Sequence, residues 1–534
     1  MPVSIIISNV ESRIAGFLPD NVQDELYNAL SYTLEGIEYS PLCRNKVWNV
    51  KEKKFDFIIP KWDGVTRLYK PKRGQTFYTG LLSTVIDVLT KNKVDFVKTD
   101  MRERPAINMS NLVFTPQPGY LEREYQQKCI NAAYSHTRGI LKVATGGGKT
   151  VIMTELISRI KTGPFMFYVL TKDLMNQAHD VLSRFLNVPI GRIGDGECDI
   201  QMLNVCTIQT AVRAINLDNK AFKISDYQFD EEDAEAWKKS DVTSVEKMQA
   251  IRSLISSAKG IYMDECHHAS ATTVRDVLSA SPMAYWRYGG SATPIREDGA
   301  EMMIQALFGK NIVDINASWL IKHGYLCTPY IIFEPIKHDL KLHSWKAIYK
   351  YCVAGNQEFN AHIADTAKYL MAQGLITLIL VQQKIQGKAI QEAIPNIPFI
   401  TGDTPSKKRK EAIEALRSKN IPCLICTTLA DEGLDIPCLD IVLMAGGGAS
   451  ATRVNQRIGR TLRIDPKDPN HRNKSVVVYY EHDAKYLDKH AKKARKIIKS
   501  EPLFNILSSA GPLRICDEIG TIMNVAVRNK SLFS

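Results

Sequence analysis

Three consecutive glycines, followed by a lysine and a threonine, are the residues of this chain best suited to phosphate chemistry. Residues 143–150 read Val-Ala-Thr-Gly-Gly-Gly-Lys-Thr, with Val143 where the usual phosphate-binding pattern has glycine. Glycines let backbone N–H groups approach a phosphate, and a helix that begins after them adds its positive end. A lysine here can reach the outer phosphates of a nucleotide, and a threonine hydroxyl can bind Mg²⁺. A structural turn is the alternative. The candidate nucleotide-binding residues are Thr145, Gly146, Gly147, Gly148, Lys149 and Thr150.

Two adjacent carboxylates, Asp264 and Glu265, follow the apolar run 260–263. A carboxylate at the end of a strand can hold Mg²⁺ through water, and its neighbour can orient or deprotonate an attacking water. We therefore expect Asp264 to serve the metal and Glu265 to be catalytic, with two exposed acids at a strand end as the alternative. Consecutive positions rarely converge on one ion, so a structural or coupling role is favoured over metal binding for Cys266, His267 and His268.

Arginines recur at helical spacing in the segment 456–463. Arg457, Arg460 and Arg463 stand at i, i+3 and i+6, which places them on nearly one face of a helix. A guanidinium group stabilises the charge that spreads over a phosphoryl group during transfer. A basic helix that faces solvent is the alternative.

A glutamine in the segment 123–126 has both a donor and an acceptor on its amide. Such a group can match the edge of an adenine base. We therefore take Arg123 and Gln126 as candidate nucleotide contacts, with a glutamine on an ordinary helix surface as the alternative interpretation.

Continuous apolar runs predict the strands that must position these groups. They are typical of a parallel sheet covered on both faces, and they cover residues 165–170, 260–263, 375–381, 423–426, 441–444 and 475–480. Helical patterns at 150–162 and 407–419 alternate with them. Strands that alternate with helices predict the α/β class.

The strand patterns fall into two groups, and the N-terminal region differs from both. We expect a small basic α+β nucleic-acid-binding domain at 1–115, where aromatic and basic residues are interleaved. An α/β domain is expected at 116–330, with an insertion at about 214–258 that contains the acidic run 230–233. A second α/β domain with a C-terminal extension is expected at 331–534.

Composition limits the classes of protein that fit. Apolar residues make up 45% of the 534 positions and the net charge is +12, so a globular protein with a polyanionic partner such as nucleic acid is favoured. No apolar run is long enough for a membrane helix. The odd number of cysteines, 11, favours reduced thiols and a cytoplasmic setting. Cys423 and Cys426 are interpreted as buried strand thiols.

In their order along the chain, these segments resemble the motifs of superfamily 2 helicases. The matching segments are residues 123–126 (the adenine-reading Q motif), 143–150 (motif I), 170–177 (motif Ia), 207–210 (the next DNA-contact motif), 264–267 (motif II in its DExH form), 291–293 (motif III), 426–435 (motif V) and 456–463 (motif VI). Within that superfamily, residues 194–196, 264–268 and 290–294 are similar to the XPB- and UvsW-like group. The small basic N-terminal domain resembles that of phage branch-migration helicases.

The resemblance implies two tandem RecA-like parallel-sheet domains with ATP and Mg²⁺ between them. Lys149, Thr150, Asp264 and Glu265 would come from one side, and Gly433, Asp435, Gln456, Arg460 and Arg463 from the other. It also implies a nucleic-acid track that includes a motif near Gln382. The expected contacts to the strand are Thr171, Thr207, Gln209, Thr427 and Thr428.

The implied function is an ATP-dependent DNA helicase or translocase that acts on forked or Holliday-type DNA in replication, recombination or repair. A DExH RNA helicase, a motor subunit of a restriction or repair nuclease, and a non-catalytic nucleic-acid-binding module are the alternatives. We expect a monomer that works with replication or recombination proteins rather than at a membrane, in the host cytoplasm if the protein is phage-encoded.

Overall fold

Strands and helices alternate through most of the chain. A computed structural model describes residues 2–34, 43, 46–49, 54–57, 62–118, 120–218, 244–292, 299–340, 342–427, 439–446, 458–459, 462, 464, 473–509 and 514–524. The chain divides into two units. The first contains Met1–Val143 and Gly148–Asp314, and the second contains Ala144–Gly147 and Ile315–Ser534.

The N-terminal part of the first unit is a mixed sheet with two helices, α1 (Asp20–Ala29) and α2 (Leu82–Lys91). Its main sheet has the order β7-β8-β2-β1-β9, while β3 pairs with β6 and β4 with β5. Alternate residues of β1 are buried, as expected for a sheet with one covered face. The strands are β1 (Val3–Ile7), β2 (Glu11–Ala15), β3 (Ser31–Thr33), β4 (Lys46–Asn49), β5 (Lys54–Phe57), β6 (Val65–Arg67), β7 (Tyr69–Lys70), β8 (Thr76–Tyr78) and β9 (Phe96–Asp100).

An eight-stranded sheet forms the centre of the first unit. Its strands are β10 (Arg138–Val143), β11 (Phe165–Val169), β12 (Ile190–Gly194), β13 (Glu197–Asp199), β14 (Leu203–Thr207), β15 (Gly260–Asp264), β16 (Trp286–Ser291) and β17 (Asn311–Ile315). Their order is β13-β12-β14-β11-β15-β16-β10-β17. From β12 to β10 the neighbouring strands are parallel, and β13 is antiparallel to β12. The loops that follow the parallel strands therefore meet at one edge, where open α/β sheets bind ligands.

Helices cover this sheet. They are α3 (Glu124–His136), α4 (Lys149–Ile160), α5 (Lys172–Phe185), α6 (Ile208–Ile215), α7 (Val245–Ser257), α8 (Thr272–Ser279) and α9 (Glu301–Phe308). In α7, Met248, Ile251 and Ile255 are buried at helical spacing and belong to the core of the unit. The acidic run 230–233 lies outside the described residues.

The second unit is built on a seven-stranded sheet in which every neighbouring pair is parallel. Its strands are β18 (Thr328–Ile336), β19 (Thr377–Val381), β20 (Phe399–Ile400), β21 (Cys423–Thr427), β22 (Ile441–Met444), β23 (Lys474–His482) and β24 (Asn505–Ser508), in the order β20-β21-β19-β22-β23-β18-β24. Its helices are α10 (Ala317–Lys322), α11 (Trp345–Ile348) continued by a π-helical turn (Tyr349–Ala354), α12 (Gln357–Ala372), α13 (Lys384–Ala393), α14 (Ser406–Arg417), α15 (Leu487–Ile498) and α16 (Ile515–Met523).

The predicted α/β class with parallel sheets is confirmed, and each predicted strand is present within three residues of its expected ends. Cys423 and Cys426 are buried in β21, as interpreted from the sequence. None of the described helices combines the length and apolar character needed to cross a membrane.

The N-terminal sheet packs closely against the rest of the first unit. Asn9 Nδ2 donates a hydrogen bond to Pro282 O (3.0 Å), and Arg138 Nη2 donates one to Asn9 O (2.9 Å). A side chain at Gly80 would overlap the backbone carbonyl of Gln305, so this approach requires glycine. The domain boundaries near residues 115 and 330 stay predictions.

Candidate active site

The glycine-rich loop joins the end of β10 to the start of α4. Gly146 and Gly148 have positive φ values of 83° and 79°, a backbone region that favours glycine. A Cβ atom at Gly148 would lie 2.5 Å from Gln126 Nε2, so a larger residue would displace that side chain. Gly148 is also the N-cap of α4, and the helix therefore presents its positive end to the loop. Such a loop can cradle phosphate oxygens with backbone N–H groups.

Lys149 is the first residue of α4, and its charge is directed back toward the sheet. Its Nζ atom lies 3.5 Å from Val143 O and 3.8 Å from Glu265 Oε1. The side chains of Lys149 and Glu265 are only 11% and 19% exposed. The structure thus brings together the two residues that the sequence assigned to phosphate binding and to activation of water.

Asp264 ends β15, and two donors hold one of its oxygens. Tyr262 Oη donates to Asp264 Oδ1 (3.3 Å), and Glu265 N donates to the same atom (3.1 Å). Burial, and then the neighbouring Glu265 carboxylate, raise the pKa of Asp264. Burial also acts to raise the pKa of Glu265, but the charge of Lys149 and the hydrogen bond to His267 outweigh it and lower that pKa. The pair therefore differs in proton affinity.

His267 connects Glu265 to the end of β16. His267 Nδ1 lies 3.3 Å from Glu265 Oε2 and 3.1 Å from Ser291 Oγ. The ring of His268 packs against the His267 ring at a centroid distance of 4.2 Å. Among the described residues, no group of three or more His, Cys, Asp or Glu side chains is arranged to hold a metal ion.

Gln126 lies beside the phosphate loop, although it precedes that loop by some twenty residues. It is 4% exposed, and its Oε1 atom accepts a hydrogen bond from Tyr120 Oη (3.4 Å). Arg123 is the N-cap of α3 and donates to Tyr125 Oη (3.2 Å). The structure therefore groups the amide proposed to read adenine with the phosphate loop, while Arg123 contacts a tyrosine of its own helix.

Mg²⁺ prefers hard oxygen ligands, and this part of the site offers them. Asp264 supplies a half-buried carboxylate at the end of β15, and a cation bound there would favour its charged form. Thr150 lies in the first turn of α4, and its carbonyl accepts a hydrogen bond from Thr154 Oγ1 (2.7 Å). The donor set fits a magnesium–nucleotide complex.

The predicted nucleic-acid contacts of the first unit lie at the same edge of the sheet. Thr171 is the N-cap of α5, and its Oγ1 atom accepts from Leu174 N (3.3 Å). Thr207 Oγ1 donates to Thr210 Oγ1 (3.0 Å), and Gln209 Nε2 donates to Leu170 O. These hydroxyls already take part in local hydrogen bonds, so a phosphate would have to share or replace them.

The remaining predicted residues belong to the second part of the chain. Thr427 ends β21 and is 5% exposed, and its Oγ1 atom has no hydrogen-bond partner among the described residues. The other predicted positions lie outside the described residues: Thr428, Gly433, Asp435, Gln456, Arg460 and Arg463.

Tyr262 is a residue of the site that the sequence reasoning missed. It stands two positions before Asp264 on β15, so both side chains lie on one face of the sheet. Gly290, which pairs with Asp264 on β16, makes room for the Tyr262 hydroxyl. The i, i+2 spacing of tyrosine and aspartate was the available signal.

Two family descriptions match the chain. "Type III restriction enzyme, res subunit" matches residues 120–296, and "Helicase conserved C-terminal domain" matches residues 363–465. The N-terminal sheet up to β9 precedes both matches.

Two curated proteins and one solved structure illustrate the proteins that are similar to the chain. A protein designated helicase 22 of Sulfolobus islandicus filamentous virus is 29% identical over 389 residues, which cover 68% of this chain and 64% of that protein. A protein designated DNA 3'-5' helicase Rad25 of Haloarcula marismortui is 27% identical over 359 residues, which cover 64% of this chain and 50% of that protein. The chain thus spans about half to two thirds of the length of these relatives.

One solved structure of similar fold is S. cerevisiae Dbp5 bound to RNA and ADP BeF3, with a TM-score of 0.50, 14% identity, and coverage of 75% of this chain and 92% of that chain. At this identity the likeness shows a shared fold, which is that of two RecA-like domains. Both family matches and the Rad25- and XPB-type relatives show that the chain belongs to the superfamily 2 helicases, in the XPB-like group.

Proposed function

We propose that this protein is an ATP-hydrolysing DNA helicase or translocase that acts on forks and Holliday-type junctions in replication, recombination or repair. The observation that carries the proposal is the approach of Lys149 Nζ to Glu265 Oε1, beside a glycine N-cap at the carboxyl edge of a parallel sheet. Triphosphate hydrolysis requires a cation that binds the phosphates, a carboxylate that activates water, and backbone N–H groups that phosphate oxygens can reach.

The chemistry assigned to the site uses few groups. The N–H groups of the loop and Lys149 bind and orient the outer phosphates. Glu265 orients a water molecule and accepts its proton, because its lowered pKa keeps it a carboxylate. Asp264 and Thr150 would hold Mg²⁺, which neutralises phosphate charge when bound.

His267 acts as a positioning residue in this proposal. Its imidazole lies between Glu265 Oε2 and Ser291 Oγ, so it restrains the carboxylate and connects it to the loop after β16. Through that connection, a change in the segment after Ser291 would alter the orientation of the proton acceptor.

The DNA part of the proposal is supported by charge, by relatives and by the placement of polar side chains. The net charge of +12 favours a polyanion, and the Rad25 relative is designated a DNA helicase. Thr171 and Gln209 follow the adjacent parallel strands β11 and β14, and Thr207 ends β14, so all three can bind successive phosphates without reading sequence. We further propose a monomer in the cytoplasm of a host cell, assisted by replication or recombination proteins.

The test is a panel of ATP hydrolysis and strand-separation assays with single strands, forks, three-way and four-way junctions and RNA–DNA hybrids. We expect DNA to stimulate hydrolysis and branched DNA to be processed fastest. Lys149→Ala should be inactive, while the control Lys128→Ala, a change at an exposed helix position, should be as active as the wild type. Stimulation by RNA but not DNA would favour the RNA helicase alternative, and full activity of Lys149→Ala would refute the site assignment.

A further inference from the structure

An exposed surface of the second unit combines aromatic rings with ammonium groups. It lies outside every segment assigned above to nucleotide or strand binding. Trp345 and Tyr351 are 38% and 53% exposed. We define the Trp345 surface by its exposed residues, which are Trp345, Lys346, Lys350, Tyr351, Lys485 and Lys489.

Neighbouring rings hold Trp345 in place while part of its own ring stays open. Its centroid lies 5.4 Å from that of His490, 5.7 Å from that of Tyr349 and 6.4 Å from that of Tyr486. Three ring contacts on an exposed tryptophan restrict its rotamers before any partner binds. A pre-ordered ring loses little conformational entropy when a flat group stacks on it.

The charge of the surroundings is strongly positive. Residues 485–499 contain seven Lys or Arg and a single acid, Asp488. Asp488 pairs with Lys492 (2.8 Å), Glu481 pairs with Arg495 (2.6 Å), and Asp483 Oδ1 accepts a hydrogen bond from His338 N (2.8 Å), so these three acids contact residues other than those of the Trp345 surface. Such a potential attracts a polyanion.

Cations alternate with rings at this surface. Lys350 Nζ lies 5.2 Å from the centroid of the Tyr351 ring, and Lys485 Nζ lies 5.4 Å from that of Tyr486. Single strands are bound by this combination, since bases stack on rings while ammonium groups follow the phosphates. A protein partner would instead require a larger continuous apolar area than these few rings provide.

The Trp345 surface is connected by contacts to the carboxyl ends of strands in the seven-stranded sheet. Tyr349, in the π-helical turn after Trp345, donates a hydrogen bond from its hydroxyl to Gly446 O. A Cβ atom at Gly446 would lie 2.9 Å from Gln382 N, so the loops after β22 and β19 are in close contact. Gln382 is the position near which the sequence resemblance places one of the strand-binding motifs. The Trp345 surface therefore continues the carboxyl edge expected to contact nucleic acid.

We propose that the Trp345 surface binds a single-stranded nucleic-acid segment, with an unpaired base stacked on Trp345 and phosphates held by Lys346, Lys350, Lys485 and Lys489. The inference rests on the proposed function and extends it, because it adds a binding site beyond the motif segments. A helicase with such a site retains a displaced or leading strand after it leaves the motif track.

The test measures the fluorescence anisotropy of a labelled oligo-dT strand over a range of salt concentrations with the full chain. Trp345→Ala should weaken binding on the order of tenfold, and Trp345→Phe should recover most of it, because one stacked base contributes 1–3 kcal/mol by alanine substitution. Lys346→Gln combined with Lys489→Gln should reduce the slope of log K against log salt by about 1.4, as expected for two lost phosphate contacts. The matched control is Lys407→Gln with Lys410→Gln, two exposed lysines of α14.

Unchanged affinity in Trp345→Ala together with an unchanged salt slope in the double lysine variant would overturn the proposal. If Trp345→Ala lowers the melting temperature, the double lysine variant decides alone, since its side chains are exposed. A measurement of ATP hydrolysis distinguishes failure of this proposal from failure of the proposed function. A wild-type chain that binds oligo-dT through Trp345 but never hydrolyses ATP supports the surface and refutes the helicase, whereas stimulated hydrolysis with unaltered variants refutes only the surface.

Discussion

Lys149 Nζ lies 3.8 Å from Glu265 Oε1, and both side chains are more than four-fifths buried. Two opposite charges at this distance in a partly buried site balance each other and stay oriented. A triphosphate would offer Lys149 a stronger anionic partner and leave Glu265 directed at the same place. This one contact therefore positions both the lysine that binds phosphate and the glutamate that accepts a proton from water.

Glu265→Gln should abolish hydrolysis while ATP still binds. The amide keeps the shape of the carboxylate but cannot accept a proton, and general-base catalysis contributes about 10²–10⁴-fold. Release of Lys149 from its ion pair should leave nucleotide affinity equal or higher. Single-turnover hydrolysis and equilibrium binding of a fluorescent ATP analogue measure the two effects. The control is Glu246→Gln in the first turn of α7, and hydrolysis near the wild-type rate in Glu265→Gln would contradict the assignment.

Gly148→Ala should reduce ATP affinity, and Gly74→Ala should not, although both glycines have similar positive φ values of 79° and 75°. Each substitution should lower the free energy of unfolding by about 1 kcal/mol through the left-handed backbone. A Cβ atom at Gly74 meets nothing within 4 Å, whereas at Gly148 it displaces the Gln126 amide. Loss of one ligand hydrogen bond predicts about tenfold weaker ATP binding for Gly148→Ala alone.

Chemical denaturation of Gly148→Ala and Gly74→Ala measures the cost of backbone strain in each variant. ATP titration of the same two variants measures the loss of nucleotide binding. The double variant Gly148→Ala, Gln126→Ala adds a further comparison. If the displaced amide causes the effect, the second change should add little to the first. Equal ATP affinity for Gly148→Ala and Gly74→Ala would show that Gln126 has no part in nucleotide binding.

Local sequence patterns predicted much of the fold and part of the candidate site. The phosphate loop is contiguous, so its glycines, and the start of α4 to within one residue of Lys149, could be located from eight residues. The end of β15 at Asp264 followed from the change from apolar to acidic residues. Parallel strands end at one edge, and this rule alone brings Lys149 and Glu265 together.

Contacts that depend on distant packing could not be predicted. Gln126 was expected to meet adenine, yet nothing in its segment indicated that it would fill the space beside Gly148. The Tyr349 hydroxyl reaches Gly446 across nearly a hundred residues, and no local period encodes such a pairing. These relationships come from the tertiary arrangement of side chains within each unit, which periodicity does not specify.

Arg460→Ala should lower the rate of ATP hydrolysis by about 10³-fold or more, with ATP affinity nearly unchanged. This prediction comes from motif VI of the sequence, in which Arg460 is assigned to the charge of the transition state, and residue 460 lies outside the described residues. Arg460→Lys should not restore activity, because an ammonium lacks the planar fork of donors. Single-turnover rates measure the effect, with Arg417→Ala on α14 as an exposed control. Activity retained in Arg460→Lys would point to a role for charge alone.

The buried His482 should make the protein less stable as the pH falls. It is 2% exposed, its Nδ1 atom lies 2.8 Å from His338 Nε2, and burial followed by the charge of His338 lowers the pKa of His482 from its ordinary value of 6.5 to about 3. Between these values the unfolded chain binds a proton that the folded chain does not. This contribution to stability is therefore complete above pH 6.5 and is lost as the pH falls toward 3, by about 1.4 kcal/mol per unit.

His482→Phe should remove this dependence, because phenylalanine fills the same position between Phe359 and His338 without a titrating group. The difference in unfolding free energy between the variant and the wild type should grow in favour of the variant from pH 6.5 downward and be constant above it. Urea denaturation at a series of pH values measures that difference. His343→Phe, a change at an exposed position, should give a curve parallel to that of the wild type. The decisive range is about pH 4 to 6.5, where histidine titrates. If the unfolding free energies of His482→Phe and the wild type ran parallel over that range, the folded chain would bind the proton as readily as the unfolded chain.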